Sequence, residues 1–158
     1  MKNVEPISAS QEDYVEAIYL IAREKEEVYP RDVSARLEVT GPSVTEALRI
    51  LDEKGLVSYV PYGPIVLTPL GEATARDVYH RHVILRRFFT EVLGVEEGLA
   101  DEVACKLEHT VSTNIVNRLV AYARFAETND RVIEGDIGHQ FRLFLDQQAQ
   151  ETAGGERS

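Results

Sequence analysis

Hydrophobic residues recur at helical spacing in the first part of the chain. From Tyr14 they follow one another at i, i+4 and i+7 within residues 10–25, a pattern that predicts an amphipathic helix. Ser10, with Asp13 three residues later, predicts the N-terminal cap of this helix, because the hydroxyl can accept a hydrogen bond from a backbone N–H of the first turn.

Two helices and a hairpin are predicted next. A short helix opens near Pro30, and a longer one covers about 42–54, after a tight turn in residues 38–42. The pattern then changes to alternation in residues 56–60, a PYGP turn and a second short run at 65–68, which predicts a β-hairpin. Helix, helix, turn, helix and hairpin in this order are typical of a winged helix-turn-helix.

Apolar stripes predict helices in most of the remaining chain. They cover residues 69–93, 95–111, 114–127 and, as a last short helix, 137–145. The predicted fold class is therefore mainly α, with a small β-hairpin wing. We expect three parts, namely a winged-helix DNA-binding domain in residues 1–73, an all-helical domain in 74–149 and a disordered tail in 150–158.

Composition and charge narrow the class of protein. The 158 residues are 44% apolar and 28% charged, as in ordinary globular proteins. No apolar run approaches the roughly 20 residues of a membrane span, the N-terminus lacks the apolar core of a signal peptide, and a single cysteine fits a reducing compartment. We therefore expect a cytoplasmic protein with no membrane partner. The net charge of −10 argues against nucleic-acid binding, because phosphate contacts need Lys and Arg, so a DNA-binding protein would have to place its acidic residues away from the DNA.

The segment CKLEH is the richest in chemistry. On a helix, Cys105, Glu108 and His109 lie at i, i+3 and i+4, so their side chains leave one face about one turn apart. Thiolate, carboxylate and imidazole together form a metal-ligand set. Taken alone, such a cluster is more often a half-buried cysteine beside a solvated Glu–His pair.

Two other sets could add metal ligands. Asp13 and Glu16 lie at i and i+3 on the first predicted helix, although a helix N-terminus favours acidic residues through its dipole in any case. His80 and His82 lie two residues apart, so on a helix they point in different directions and at most one can join a given site.

The third predicted helix supplies the candidate DNA contacts. Its exposed N-terminal residues would meet base edges, and its hydroxyl side chains would meet phosphates or thymine methyl groups. The candidates are Arg31, Pro42, Ser43, Thr45, Glu46 and Arg49. The alternative is a structural helix with a solvated polar face, which the surrounding order of elements makes less favourable.

Together these segments resemble the diphtheria toxin repressor family of metal-dependent transcriptional regulators, and most of all its short manganese transport regulator branch. The matching stretches run in family order from about residue 10 to 125. They are EDYVEAIYLI (12–21), VTGPSVTEALRILDEKGLV (39–57), LTPLGEATA (67–75), YHRHVILRRFF (79–89), LGVEE (93–97) and DEVACKLEHTVS (101–112). The resemblance implies a winged helix followed by a helical domain that dimerises, with metal bound between the two.

The resemblance also implies the metal ligands. The positions that match ligands of the manganese branch are Asp13, Glu16, His82 (rather than His80), Glu108 and His109. Cys105 departs from that branch, which has a carboxylate there, and agrees with the iron-sensing branch, whereas Asp13 replaces the methionine of the iron branch. Arg86 and Asp101 fall where the iron branch has ligands of an ancillary site, and Arg86 cannot bind a cation. We expect one or two divalent ions per chain, Mn²⁺ first and Fe²⁺ second, because carboxylates suit both ions and a thiolate favours softer ones.

The resulting hypothesis is a homodimeric repressor, not an enzyme. Metal binding would offset the repulsion between Asp13, Glu16 and Glu108 and promote binding to a palindromic double-stranded operator that controls metal-homeostasis genes. One alternative is a metal-dependent hydrolase, although P-loop, GxSxG and HExxH signatures are missing. The other is a metal-independent winged-helix regulator that responds to a small organic ligand.

Overall fold

The computed structural model describes residues 7–129 and residue 143, and it confirms a mainly α fold with one small sheet. The chain divides into two compact units, with the division after His80. Its elements are α1 (Ala9–Glu24), α2 (Pro30–Leu37), α3 (Gly41–Glu53), β1 (Val57–Tyr59), β2 (Ile65–Leu67), α4 (Pro69–Arg87), a π-helical turn (Phe88–Val92), α5 (Glu97–Leu107) and α6 (Thr113–Asn129). The helix predicted over 137–145 and the tail predicted from residue 150 lie outside the described residues, apart from the single helical residue 143.

The first helix begins earlier than the sequence predicted. Ser8, not Ser10, is its N-cap: the Ser8 hydroxyl accepts from the backbone N–H of Gln11 at 3.3 Å, and the Gln11 side chain accepts from the backbone N–H of Ser8 at 3.2 Å. The prediction of a cap at Ser10 is therefore wrong. The reciprocal Ser–Gln pair satisfies two N–H groups that the start of a helix otherwise leaves without partners, whereas Ser10 already lies inside the first turn.

The core of the first unit lies where α1, α2, α3 and the hairpin meet. Each helix contributes side chains that are at most 3% exposed at the predicted apolar spacing, among them Ile18, Val33 and Leu48. Burying such aliphatic side chains stabilises a fold by roughly 1.5–3 kcal/mol each. Because the apolar face of α3 is used in this core, its opposite face is left at the surface.

The wing is a two-stranded antiparallel hairpin in which Val57 pairs with Leu67 and Tyr59 with Ile65. A backbone hydrogen bond from Ile65 N–H to the Val28 carbonyl, at 2.7 Å, ties β2 to the segment between α1 and α2. The wing is therefore fixed to the segment between α1 and α2 by a backbone hydrogen bond.

The described part of the second unit contains the end of α4, the π-helical turn, α5 and α6. Its core includes Leu85, Ala100, Ala104 and Val116, each at most 2% exposed. Glu96 caps α5 and accepts backbone hydrogen bonds from residues 98 and 99, which lower the pKa of its carboxyl group. Among the residues that the structure describes, no helix is long and apolar enough to cross a membrane.

Candidate metal centre and nucleic-acid interface

The candidate metal centre of the second unit is built around a buried carboxylate. Glu108 follows the last residue of α5 and is only 1% exposed. Its Oε2 atom lies 2.7 Å from Nδ1 of His82, and its Oε1 atom lies 3.4 Å from Nε2 of His109. Within the part of the chain that the structure describes, Oε1 accepts no hydrogen bond. Burying a carboxylate oxygen without a hydrogen bond raises the free energy of the folded state unless a positive charge compensates it.

Two consecutive residues of α4 hold the end of α5 in place. The Arg81 guanidinium donates from Nε to the backbone carbonyl of Glu108 at 2.7 Å. The His82 ring contacts carboxylates on both sides, since its Nε2 lies 3.0 Å from Oδ1 of Asp101 while Nδ1 faces Glu108. His82 is thus oriented by α5 through both ring nitrogens, whereas His80 is exposed.

The remaining candidate ligands of this unit lie in different environments. Cys105 is exposed on α5, while Glu108 is buried. The prediction that Cys105, Glu108 and His109 leave one face of a helix is only partly met, because α5 ends at Leu107 and His109 lies in the turn that follows. Arg86 forms an ion pair with Glu97 at 2.8 Å.

The acidic pair of the first unit lies on α1. Asp13 and Glu16 are both partly buried, and they share one side of the helix because they are three residues apart. Their neighbour Tyr14 is 7% exposed, and burial together with the negative charge of Asp13 raises the pKa of the Tyr14 hydroxyl. The pair is therefore held at the edge of the core, where water screens its charge less than at an open surface.

The donor set fits a divalent cation of the Mn²⁺ or Fe²⁺ kind. Such ions bind carboxylate oxygens and imidazole nitrogens. The Oε1 atom of Glu108 and Nε2 of His109 are two such donors, close enough to serve one ion. The buried Oε1 atom, with no hydrogen-bond donor among the described residues, is the observation that favours a cation there. His82 lies at the other oxygen of Glu108, and Asp101 contacts the second ring nitrogen of His82.

The candidate nucleic-acid interface is the outer face of α3. Thr40 caps this helix, because its hydroxyl oxygen accepts from the backbone N–H of Ser43. All the predicted contact residues are exposed: Arg31, Pro42, Ser43, Thr45, Glu46 and Arg49. The capped N-terminus of α3 carries partial positive charge, which favours an approaching phosphate.

Arg49 on α3 and Arg31, which lies on α2 rather than on α3, both have partners within the chain. Arg49 forms ion pairs with Glu46, at 2.7 Å, and with Glu53. The pairing lowers the pKa of Glu46 and raises that of Arg49. Arg31 lies over the ring of Tyr29, 5.1 Å from its centroid. The signal for the Arg49 pairs was present in the sequence as i, i+3 and i, i+4 spacing, whereas nothing in the sequence indicated that Arg81 would bind Glu108.

Two family models match consecutive parts of the chain. Residues 6–65 match the iron dependent repressor N-terminal DNA binding domain, and residues 68–133 match the iron dependent repressor metal binding and dimerisation domain. An uncharacterized HTH-type transcriptional regulator of Methanocaldococcus jannaschii is 37% identical over 114 residues, which cover 72% of this chain and 91% of that protein. The HTH-type transcriptional regulator MntR of Bacillus pumilus is 34% identical over 122 residues, which cover 77% of this chain and 83% of that protein.

A solved structure has a similar fold. It is a manganese-dependent transcriptional repressor in complex with manganese, with a TM-score of 0.66 and 30% identity over 73% of this chain. The present chain spans about half of that longer protein, at 53%. From these matches, the chain belongs to the diphtheria toxin repressor family of metal-dependent transcriptional regulators, in its manganese transport regulator branch.

Proposed function

We propose that the protein is a homodimeric transcriptional repressor that binds operator DNA when it is loaded with Mn²⁺ or Fe²⁺, and that it controls genes of metal homeostasis from the cytoplasm. The observation that carries the proposal is the buried carboxylate of Glu108, with one oxygen against His82 and the other beside His109. A merely structural glutamate at the end of a helix would be expected at the surface.

The proposed ligands hold one or two ions per chain. They are Asp13, Glu16, His82, Cys105, Glu108 and His109. A bound divalent cation would supply the positive charge that offsets these carboxylates. Asp101 and Arg81 keep Glu108 and His82 in position. The coupling between metal and DNA is reciprocal and typically about 1–3 kcal/mol, so DNA that carries the operator should tighten Mn²⁺ binding by the same factor that Mn²⁺ tightens DNA binding.

The proposed DNA-reading surface is the exposed face of α3 with its capped N-terminus. In a dimer, two such helices would enter successive major grooves of a palindromic operator. The acidic composition of the chain is compatible with this role because DNA binding requires hydrogen-bond donors and cations at the surface that meets the DNA. It does not require a basic protein as a whole.

The test is fluorescence anisotropy of the full chain on a duplex from upstream of its own gene. Titrations are made at one fixed salt concentration in chelator, Mn²⁺, anaerobic Fe²⁺, Co²⁺ and Zn²⁺, because phosphate contacts depend on salt. We expect tight binding only with metal. Equal binding in chelator would contradict the metal switch and favour a regulator that responds to a small organic ligand.

A pair of variants on α5 and its end locates the switch. Glu108→Gln removes the buried carboxylate charge and should abolish most of the response to Mn²⁺. Glu102→Gln is the matched control, since Glu102 is exposed and pairs only with Lys106 among the partners the structure gives it; its metal response should equal that of the wild type. A Glu108→Gln protein with a full metal response would refute the assignment. Hydrolysis of generic phosphoester substrates by the Mn²⁺-loaded protein would contradict the proposal that it is not an enzyme.

A further inference from the structure

The exposed face of α3 carries a three-residue ion-pair ladder, made of Glu46, Arg49 and Glu53. Glu46 accepts two hydrogen bonds from the Arg49 guanidinium, one from Nε at 3.1 Å and one from Nη2 at 2.7 Å. Glu53 accepts one from Nη1. All three side chains are more than half exposed, so the ladder lies on the surface that would face DNA.

Two N–H groups of the Arg49 guanidinium remain for another partner. A guanidinium has five N–H donors in a planar fork, and the two glutamates use three of them. The other two belong to Nη1 and Nη2, the terminal nitrogens, and no other residue in the described part of the chain accepts from them. Glu46 precedes Arg49 by three residues and Glu53 follows it by four, so the two carboxylates approach the guanidinium from opposite directions along the helix.

The charge of the ladder favours a neutral partner over an anionic one. Two carboxylates against one guanidinium give the group a net charge of about −1, and ion pairing with Arg49 lowers the pKa of Glu46. A phosphate would be repelled by the flanking carboxylates. A neutral base edge with two acceptors suits a pair of parallel donors, and O6 and N7 of guanine in the major groove form such an edge.

We propose that Arg49 reads a guanine in the operator, and that Glu46 and Glu53 are positioning residues that aim it. The inference rests on the proposed function, since it requires α3 to enter the major groove. Holding the side chain in advance lowers the entropy lost on binding. The flanking charges also discourage Arg49 from attaching to the phosphates of any sequence.

The test begins with selection of duplexes from a randomised pool by the full-length, Mn²⁺-loaded protein. We expect a G·C pair at one position of each half-site, and we expect that preference to disappear with Arg49→Ala and with Arg49→Lys, which keeps the charge but lacks the fork. On the selected duplex, each variant should bind about 5- to 150-fold more weakly, the range that one bidentate base contact gives. On a duplex with that pair replaced by A·T, variants and wild type should differ by less than about threefold.

Salt dependence and two further variants separate the possible roles. The slope of log K against log salt should stay unchanged in Arg49→Ala, because a lost phosphate contact would reduce it by about one. Glu46→Gln should raise affinity through the removed negative charge and broaden the sequence preference by releasing Arg49. Arg36→Ala is the matched control, since Arg36 lies on α2 and pairs with Glu24; it should leave the selected sequence unaltered.

Two outcomes would overturn the inference, and they differ from failure of the proposed function. Uniform weakening on all duplexes with a reduced salt slope would make Arg49 a phosphate contact. An unchanged selected sequence in Arg49→Ala would mean that Arg49 does not read a base. If the wild-type protein selects no sequence with or without Mn²⁺, the proposed function itself is wrong.

Discussion

Gly71, near the start of α4, is the position at which a single methyl group should do the most damage to the first unit. A Cβ atom built there would lie 1.8 Å from the carbonyl oxygen of Leu56 and 3.2 Å from Cδ2 of Leu67. The Leu56 carbonyl cannot turn away freely, because it accepts hydrogen bonds from the backbone N–H and the hydroxyl of Thr68. Gly71→Ala therefore forces the first turn of α4 away from the base of the wing.

The magnitude follows from the displacement that is needed. Ordinary contact begins at 3.4 Å, so the backbone must move by roughly 1.5 Å. Overpacking of this kind typically costs about 1–3 kcal/mol, and weakening the hydrogen bonds to Leu56 adds about 0.5–1.5 kcal/mol. The higher helix propensity of alanine relative to glycine offsets up to about 1 kcal/mol of this loss. The net loss is about 0.5–4.5 kcal/mol, which lowers Tm by about 1–18 °C for a protein of this size.

The assay is urea and thermal unfolding followed by circular dichroism, with Gly41→Ala as the matched control. Gly41 also lies in the first turn of a helix, and a Cβ there meets nothing within 4 Å. The control should stay within about 1 kcal/mol of the wild type. If Gly71→Ala proves as stable as Gly41→Ala, the close approach between α4 and Leu56 does not exist in solution.

Three further predictions concern metal selectivity, ligand choice and acid stability. Asp13→Met should shift DNA binding toward Fe²⁺ over Mn²⁺, because it removes a hard oxygen donor; an unaltered metal ranking in anisotropy titrations would refute this. His82→Ala should lower Mn²⁺ affinity at least about tenfold in calorimetric titrations, as loss of a ligand or its orienting group does, whereas the exposed His80→Ala should change it little; equal losses would mean that the wrong histidine was chosen. Lys25 and the backbone N–H of Tyr29 lower the pKa of Asp32 below 3.8, so Asp32 stabilises the fold above that pH, and the stabilisation is lost as the pH falls through the lowered pKa. Asp32→Asn should therefore be less stable than the wild type in urea at pH 7, and the difference should shrink toward pH 3; a gap of the same size at both values would contradict the role of the charge.

Much of the fold could be predicted from local pattern. Within residues 7–129, the helices and the hairpin appear where apolar spacing and turn residues predict them, because a helical or alternating stripe depends only on residues close in the chain. The ends of the elements were less predictable. Ser8 and Gln11 form the cap of α1 two residues before the expected position, and the predicted helix over 69–93 finishes as a π-helical turn after Arg87.

By itself, the sequence determined the order of elements, the family and the donor types available to a metal. The tertiary structure alone decided that Glu108 is buried against His82, a residue 26 positions away, while Cys105, three residues before Glu108, is exposed. The hydrophobic pattern of the sequence does not predict this difference in burial, because the exposure of a polar side chain depends on which other elements cover it. Helical spacing places residues on a face, but packing decides which face is removed from water, and a carboxylate removed from water requires hydrogen bonds or a compensating charge.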